Sequence, residues 1–386
     1  MSYAIERLAV SDYEEMLDFL DFVFSREGEP HDFRNLLPTI YRPTPERMSS
    51  HLVVRRQGRI QSLVGVYPIQ MHVGPVRLAG ATVGAVSTHP DCRGQGMMRA
   101  LMNHAVDWMQ AERIQFSVLG GNRQRYRYFG YERCGLSLQY RVTAGNLKHI
   151  FEKDPAVYLR QLQESDREIL ALLKQQHDRQ SLYCERPSDL FFFYGLNWHR
   201  QMRAIITHDH QCVGYAITDG TNKSFVPEIV AVSDDLAVDA LRVLAAESPR
   251  HGVTVGVNPT QASLCRMLGD CCETVSSMDS GNWRVFDWQS VTRAFLQLWA
   301  MAIDTEDGEV MIGIRDVGTL RMAVNGRRAA CDIIDEPAPA TYPPMLAQRL
   351  LFGPLAPDLV VPLPNSLRVL KDWCPLPLRI SDQDGA

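Results

Sequence analysis

A strand, a glycine-rich turn and an amphipathic helix follow one another within residues 83–109, and this order restricts the chain to folds that mix strands and helices. The apolar run at 83–88 predicts a strand, and the turn that follows it is Arg93-Gly94-Gln95-Gly96. Apolar side chains then recur at helical spacing, which predicts a helix with one buried face. These residues are Met97, Met98, Leu101, Met102, Ala105, Trp108 and Met109.

Such a turn at the start of a helix is suited to binding an anion. The first N–H groups of a helix have no partner within it, and the helix dipole adds partial positive charge there. Gly94 and Gly96 carry no Cβ, so a ligand can approach the backbone closely. Arg93 and Arg99 add side-chain charge. The segment therefore predicts a diphosphate site, although an ordinary packing turn between strand and helix stays open as the alternative.

A second informative segment covers residues 119–135. An apolar run at 116–119 predicts a strand, and the two glycines after it break that strand. Asn122 is suited to begin a short helix, and Gly130 is suited to end it. Tyr126 stands four residues before Gly130 in a cluster of aromatic side chains. A phenol here can donate a proton, or it can simply pack at the edge of a domain.

Composition narrows the class of protein. A chain of 386 residues with 45% hydrophobic side chains predicts two or three domains. No apolar run reaches the length of about 18 residues that spans a membrane, and the N-terminus lacks the pattern of a signal peptide. Nine cysteines without C-x-x-C spacing predict free thiols in the cytoplasm. The net charge of −5 argues against general nucleic-acid binding.

The pattern of elements divides the chain into units at 1–145, 146–285 and 286–386. In the first unit, Ser11 and Glu14 predict a capping box at the start of a helix. Strands are predicted at 51–56, 60–73 and 76–88, and the last of these contains the apolar run at 83–88 that begins the strand–turn–helix segment. The second has a similar order, but SDDLAVDALR stands where a glycine-rich turn would bind phosphate, which predicts a copy without that function. Asp234 and Asp235 are expected to cap the helix there. His208 and His210 lack a third ligand at suitable spacing, so no metal is predicted.

The turn resembles motif A of the GNAT superfamily of N-acetyltransferases, which reads Q/R-x-x-G-x-G/A. Arg93, Gly96 and Met98 occupy its three fixed places, and Met98 departs from the usual Gly or Ala. An apolar residue followed by Arg is familiar there in the Eis-like (enhanced intracellular survival) branch. The segment 126–131 also resembles the GNAT pattern of a Tyr four residues before a Gly-aromatic pair.

The resemblance implies an α/β (α+β) fold. It has two tandem GNAT folds with mixed, splayed sheets and a C-terminal domain that is similar to sterol carrier proteins. Acetyl-CoA is then the co-substrate, and the protein is a homo-oligomer, a hexamer in the Eis-like branch. Backbone groups of Val86 and Thr88 pair with the pantetheine like an added strand. The residues implied in cofactor binding are Val86, Ser87, Thr88, Arg93, Gly94, Gln95, Gly96, Met97, Met98, Arg99 and Asn122.

By the same resemblance, acetyl passes directly to a primary amine in a ternary complex. Tyr126 protonates the departing CoA thiolate, and the carboxylate of Ala386 returns to the first domain to act as the base. Ala386 departs from the aromatic end that is common in the branch, and a frayed terminus is the alternative for this polar tail. The candidates for the substrate side are Asp21, Phe24, Glu27 and Phe33.

The sequence leaves the amine open among aminoglycosides, polyamines, peptide N-termini and lysine side chains. Two hypotheses from other classes of protein also remain. One is an acyl-CoA sensor without turnover, and the other is a lipid carrier that acts through residues 286–386. We favour the enzyme because neither alternative needs Tyr126 at its position.

Overall fold

The first part of the chain forms one large sheet with a long helix against it. The computed structural model describes residues 3–26, 31–220, 224–248 and 250–386. The elements up to residue 133 are β1 (Glu6–Arg7), α1 (Tyr13–Phe24), α2 (Phe33–Leu36), α3 (Pro45–Ser49), β2 (His51–Arg56), β3 (Arg59–Val73), β4 (Val76–Thr88), α4 (Met97–Ala111), β5 (Phe116–Leu119), α5 (Arg123–Tyr126) and β6 (Glu132–Arg133).

Helix α4 packs against β2, β3 and β4. Its buried side chains are five of the seven predicted from the helical spacing together with Val106. Each of the methionine, leucine and valine side chains contributes roughly 1.5–3 kcal/mol when it leaves water. The packing anchors the helix, and so fixes where its first turn points. The predicted strands at 51–56, 76–88 and 116–119 and the helix after Gly96 are confirmed.

The middle of the chain forms two four-stranded sheets. Its elements are β7 (Ser137–Val142), α6 (Ala144–Ile150), β8 (Val157–Gln161), α7 (Arg167–His177), β9 (Leu182–Cys184), α8 (Phe191–Tyr194), β10 (Arg200–Thr207), β11 (Cys212–Asp219), β12 (Phe225–Val226), β13 (Glu228–Ala231), α9 (Asp234–Glu247), β14 (Val253–Val257), α10 (Ala262–Cys271), β15 (Thr274–Met278) and β16 (Asn282–Val285). The strand orders are β13-β11-β10-β8 and β12-β14-β7-β15.

Three strands cross the unit boundaries that the sequence suggested. The first sheet runs β1-β2-β3-β4-β5-β16-β6, and β9 also pairs with β3, so β9 and β16 of the middle unit join strands from the first. Conversely, β7 pairs with β14 and β15 of the middle sheet. Strand pairing is thus non-local, and a break in composition near residue 145 does not mark a break between sheets. The proposed unit boundaries themselves stay predictions.

The last part of the chain packs a helix on a smaller sheet. Its elements are α11 (Trp288–Ala302), β17 (Gly308–Ile314), β18 (Gly318–Asn325), β19 (Arg328–Ile334), β20 (Thr341–Tyr342), α12 (Pro344–Phe352), α13 (Pro357–Val360) and α14 (Leu370–Trp373). The strand order is β19-β18-β17-β20, and α11 packs against β18 and β19. Trp288 and Trp373 are core residues of this unit. The likeness of this unit to a sterol carrier stays a prediction.

Two details of helix capping differ from the sequence interpretation. Ser11 and Glu14 do not form the predicted capping box. The Asp12 side chain instead accepts a hydrogen bond from the Ala9 N–H at 2.8 Å. In the middle unit, Ser233 caps α9, and the aspartates expected to cap it lie in the first turn. A hydroxyl or carboxylate one position away satisfies the same N–H groups, which limits the precision of capping predictions.

Two histidines are buried as neutral side chains. His51 Nδ1 lies 2.9 Å from the Arg47 carbonyl oxygen, and its Nε2 lies 2.9 Å from the Tyr67 hydroxyl. His177 makes the same kind of contacts with a carbonyl oxygen and with the hydroxyl of Tyr215. Burial lowers the pKa of each imidazole from 6.5 to about 4.

We expect stability to fall as the pH drops from 6.5 to 4. The unfolded chain takes up a proton at each of these histidines over that range, whereas the folded chain does not. At pH 4, each histidine then lowers the free energy of unfolding by up to about 3 kcal/mol. Urea unfolding at several pH values measures this effect. In His51→Asn, the free energy of unfolding should fall less steeply with decreasing pH than in the wild type. The exposed His104→Asn serves as control. An unchanged slope for His51→Asn would contradict the assignment.

Candidate active site

The first sheet opens between β4 and β5. These strands run parallel and pair from Gly80 with Phe116 to Val83 with Leu119. Residues 84–88 of β4 continue beside β3 only. Within the described chain, no strand pairs with the other edge of that stretch. Its outward N–H and C=O groups are therefore available to an extended ligand that adds itself as a strand.

A bulge marks the point where the strands part. Gly65 faces Gly84 across β3 and β4, whereas Leu63 faces Ser87, so β4 carries one extra residue between these pairs. Ala85 lies in the bulge with a φ of +54°, in the left-handed region. A bulge re-aims the side chains and backbone groups beyond it. The end of β4 is thus turned relative to its paired part.

The glycine-rich turn leaves the start of α4 uncovered. Gly96 is the N-cap residue with a φ of +85°, and Gly94 has a φ of +78°. Both values favour glycine, since other residues are strained there. A Cβ at either position would meet no atom within 4 Å, so the space above the turn is open. The N–H groups of the first helical turn consequently face an accessible volume.

A cavity of about 520 Å³ lies over this turn. Three arginines contribute to its wall, namely Arg93, Arg99 and Arg125. Its remaining lining residues are Val23, Phe24, Val86, Ser87, Thr88, Cys92, Gly94, Gly96, Met97, Met98, Tyr128 and Phe129. Guanidinium groups and a helix N-terminus together favour an anion, and the apolar side chains suit the rest of an elongated ligand.

Most of the residues implied in cofactor binding come together in this cavity. The nine that line it are Val86, Ser87, Thr88, Arg93, Gly94, Gly96, Met97, Met98 and Arg99. The other two have structural contacts. The Gln95 carbonyl oxygen accepts a hydrogen bond from the Tyr3 hydroxyl at 2.5 Å. Asn122 caps α5 by accepting from the Gln124 N–H at 2.9 Å, as its predicted helix-starting role requires.

Tyr126 lies at the carboxyl end of β5. The residue is 6% exposed and belongs to the apolar cluster that contains Met97 and Leu101. Its ring packs close to Gly121, where an added Cβ would lie 3.2 Å from Tyr126 Cε2. Burial raises the pKa of the phenol, with Arg125 opposing this in part. Tyr126 therefore keeps its proton at neutral pH.

The end of the chain lies against the first sheet. A Cβ added to Gly84 would be 2.8 Å from the carboxyl carbon of Ala386. Gln383 and Asp384 are buried, so the tail is not the frayed terminus considered as the alternative. The polar composition of the tail suggested a mobile end. These polar side chains are instead buried because they bond to Arg186 and to the Tyr194 carbonyl oxygen. Ala386 thus approaches the first residue of β4 beyond its pairing with β5.

The four candidates for the substrate side are placed differently. Phe24 lines the cavity. Phe33 is buried and meets the rings of Phe24 and Tyr41 edge-on, with centroids 5.2 Å apart in both pairs. Asp21 lies on α1, and partial burial with neighbouring carboxylates raises its pKa. Glu27 lies outside the described residues.

Sequence reasoning missed part of the cavity wall. Arg125 and Tyr128 stand three residues apart, a spacing that places side chains on one face of a helical turn and that was available as a signal. Cys92 also lines the cavity and carried no signal. Within the described ranges, no three His, Cys, Asp or Glu side chains gather as metal ligands do. No helix there has the length and apolar character needed to cross a bilayer.

The first part of the chain is similar to a known protein family. Residues 4–134 match the family model described as the Acetyltransferase (GNAT) domain. No curated protein matches the chain. This match supports an acetyltransferase domain that contains the opened sheet, the turn and Tyr126.

Several solved structures share the fold over nearly the whole chain. The GCN5-related N-acetyltransferase from Kribbella flavida is 16% identical, with a TM-score of 0.67 and coverage of 100% of this chain and 98% of that one. Eis1 from Mycobacterium abscessus is 15% identical, with a TM-score of 0.67 and coverage of 99% and 100%. A probable N-acyltransferase from Enterococcus faecalis is 14% identical, with a TM-score of 0.66 and coverage of 99% and 100%. The predicted α/β class with GNAT folds and an additional α/β unit is confirmed.

Gly84→Ala is expected to destabilise the full chain by about 1–3 kcal/mol, because the new methyl group would collide with Ala386. Deleting Ala386 removes the obstacle, so the substitution should cost less in the shortened chain. Thermal denaturation of the four proteins measures both costs. Gly269→Ala serves as control, since a Cβ there has open space. Equal costs of Gly84→Ala in both chains would place the terminus elsewhere.

Proposed function

We propose that this chain is an N-acetyltransferase that moves acetyl directly from acetyl-CoA to a primary amine. The observation that carries the proposal is the arrangement around the opened sheet. The arginine-lined turn follows the free end of β4, the carboxyl group of Ala386 approaches Gly84, and Tyr126 packs beside Gly121 just after β5. An elongated acyl donor on the free edge of β4 would extend beyond the cavity to meet Tyr126 and Ala386, which do not line it.

The donor would bind along the free edge of β4. The first turn of α4, with Arg93 and Arg99, would hold the diphosphate through N–H groups and side-chain charge. The amides of the pantetheine would pair with the backbone of Val86 and Thr88. The apolar side chain of Met98, where the sequence departs from the GNAT motif, lines the same cavity and would lie beside the bound donor.

The reaction requires two proton transfers. The amine nitrogen attacks the thioester carbonyl carbon and loses a proton, for which the Ala386 carboxylate is the base. The Thr88 N–H would stabilise the oxyanion that forms. The carbon–sulfur bond then breaks, and the thiolate takes the proton of the Tyr126 hydroxyl. The raised pKa of Tyr126 keeps that proton in place until the thiolate forms.

The acceptor would be a small-molecule or peptide amine. It would reach the opening beside Phe24 and the neighbouring ring of Phe33. A carboxylate at the end of the chain suits a cationic acceptor, because it attracts the ammonium before removing its proton. The nine unpaired thiols are consistent with a cytoplasmic enzyme. Assembly as a hexamer stays a prediction from the resemblance.

Binding of acetyl-CoA is expected in the micromolar range and should be lost in Arg93→Glu, because the substitution reverses a charge beside the helix N-terminus. Calorimetric titration measures the affinity. Arg328→Glu makes the same change at an exposed position on β19, so it should bind like the wild type. A wild-type protein that does not bind acetyl-CoA would overturn the proposed function.

Tyr126→Phe should lower kcat for amine acetylation about a hundredfold while leaving the affinity for acetyl-CoA unchanged, since only the proton donor is lost. Release of the CoA thiol from a panel of amines measures the rate. Tyr128→Phe is the matched control, because Tyr128 lines the cavity and is 80% exposed. Binding without turnover of any amine would instead support an acyl-CoA sensor.

A further inference from the structure

A buried ionic cluster joins the tail to the middle of the chain. The Arg186 side chain is fully buried and donates to two carboxylates. Its Nη1 and Nη2 each lie 2.7 Å from an oxygen of Glu228, the first residue of β13. Its Nε lies 2.7 Å from Asp384 Oδ1, and its Nη2 lies 3.1 Å from Asp384 Oδ2. One guanidinium thus bridges the middle sheet and the tail.

Other polar contacts hold the two residues that precede Asp384. Asn197 Nδ2 donates to the Gln383 carbonyl oxygen at 2.8 Å, and Gln383 Nε2 donates to the Tyr194 carbonyl oxygen at 2.6 Å. Trp198 Nε1 donates to the Asp382 carbonyl oxygen at 3.0 Å. The tail is therefore fixed both along its backbone and by its side chains.

Neither stability nor ligand binding accounts well for this cluster. Buried ion pairs contribute little net stability, because removing charges from water offsets their attraction. The space beside the cluster, bordered by His177 and Ser381, is only about 50 Å³. A volume of that size holds a water molecule or two rather than an amine. What the geometry does provide is a fixed position for Asp384.

We propose that Arg186 and Asp384 are positioning residues that hold the carboxylate of Ala386 at the opening of the first sheet. Only Gly385 and Ala386 follow the anchor at Asp384, and two residues span at most about 7 Å. Ala386 also lies directly against Gly84 of β4, which leaves no room for the terminus to move closer to that strand. The inference rests on the proposed function, in which that carboxylate is the base.

The middle unit then gains a role in the reaction. Its own helix α9 begins with aspartates where a phosphate-binding turn would lie, yet its sheet supplies Glu228 and its loops supply Arg186 and Asn197. It acts as the support that orients the terminal carboxylate toward a site built by the first unit.

The first experiment tests the anchor without using catalysis. Carboxypeptidase Y is added to the full chain, and mass spectrometry follows the release of Ala386. Asp384→Asn should release it at least about tenfold faster than the wild type, because the charge that Arg186 holds is gone. Asp358→Asn is the matched control, since it breaks an exposed ion pair with Lys371. Equal release from wild type and Asp384→Asn would overturn the proposal.

The second experiment separates positioning from general structural damage. In the full chain, Asp384→Asn should lower kcat at least about tenfold, with the KM for acetyl-CoA unchanged. In a chain without Ala386, where the carboxylate is already withdrawn by about 3.5 Å, the same substitution should change the residual rate less than about twofold. An equal loss in both chains would overturn the proposal.

The two proposals fail in distinguishable ways. A wild type that acetylates no amine refutes the proposed function, whereas the protease experiment still decides whether Arg186 and Asp384 fix the terminus. A wild type that is active and protected, but whose kcat is insensitive to Asp384→Asn, refutes the positioning role alone.

Discussion

The parting of β4 from β5 is the constraint on which the candidate site depends. A parallel pair that remained hydrogen-bonded to its end would leave no backbone edge for an acyl donor. Here the pairing ends at Val83, and the bulge at Ala85 turns the rest of β4 aside. The glycine-rich turn follows the free end of β4, and the end of the chain lies against Gly84 at the same point. The loss of a few strand hydrogen bonds is the structural condition for a ligand to supply them.

The sequence was most informative where local chemistry decides the conformation. Gly94 and Gly96 adopt the left-handed backbone that their residue type favours, and α4 follows the apolar spacing after them. The cap at Asn122 and the stop at Gly130 were predictable for the same reason. Nine of the eleven residues that the resemblance implied in cofactor binding line the cavity, and their role in binding stays a prediction.

Long-range contacts explain what the sequence concealed. A polar tail is ordinarily mobile, and nothing near Asp384 indicates that Arg186, almost two hundred residues earlier, neutralises it. The same applies to β16, whose place between β5 and β6 is decided by pairing across about 150 to 170 residues. Such contacts depend on the whole fold, whereas periodicity and capping report only on neighbours.

The position of β16 has a consequence for how the chain is made. The ribosome delivers residues 1–133 long before residues 282–285, so the nascent first sheet has an open edge at β5 until the middle unit has been synthesised. Contacts of such high sequence separation close slowly, and an unpaired strand edge invites association with other chains meanwhile. Synthesis of the middle unit thus sets the earliest moment at which the first sheet can be completed.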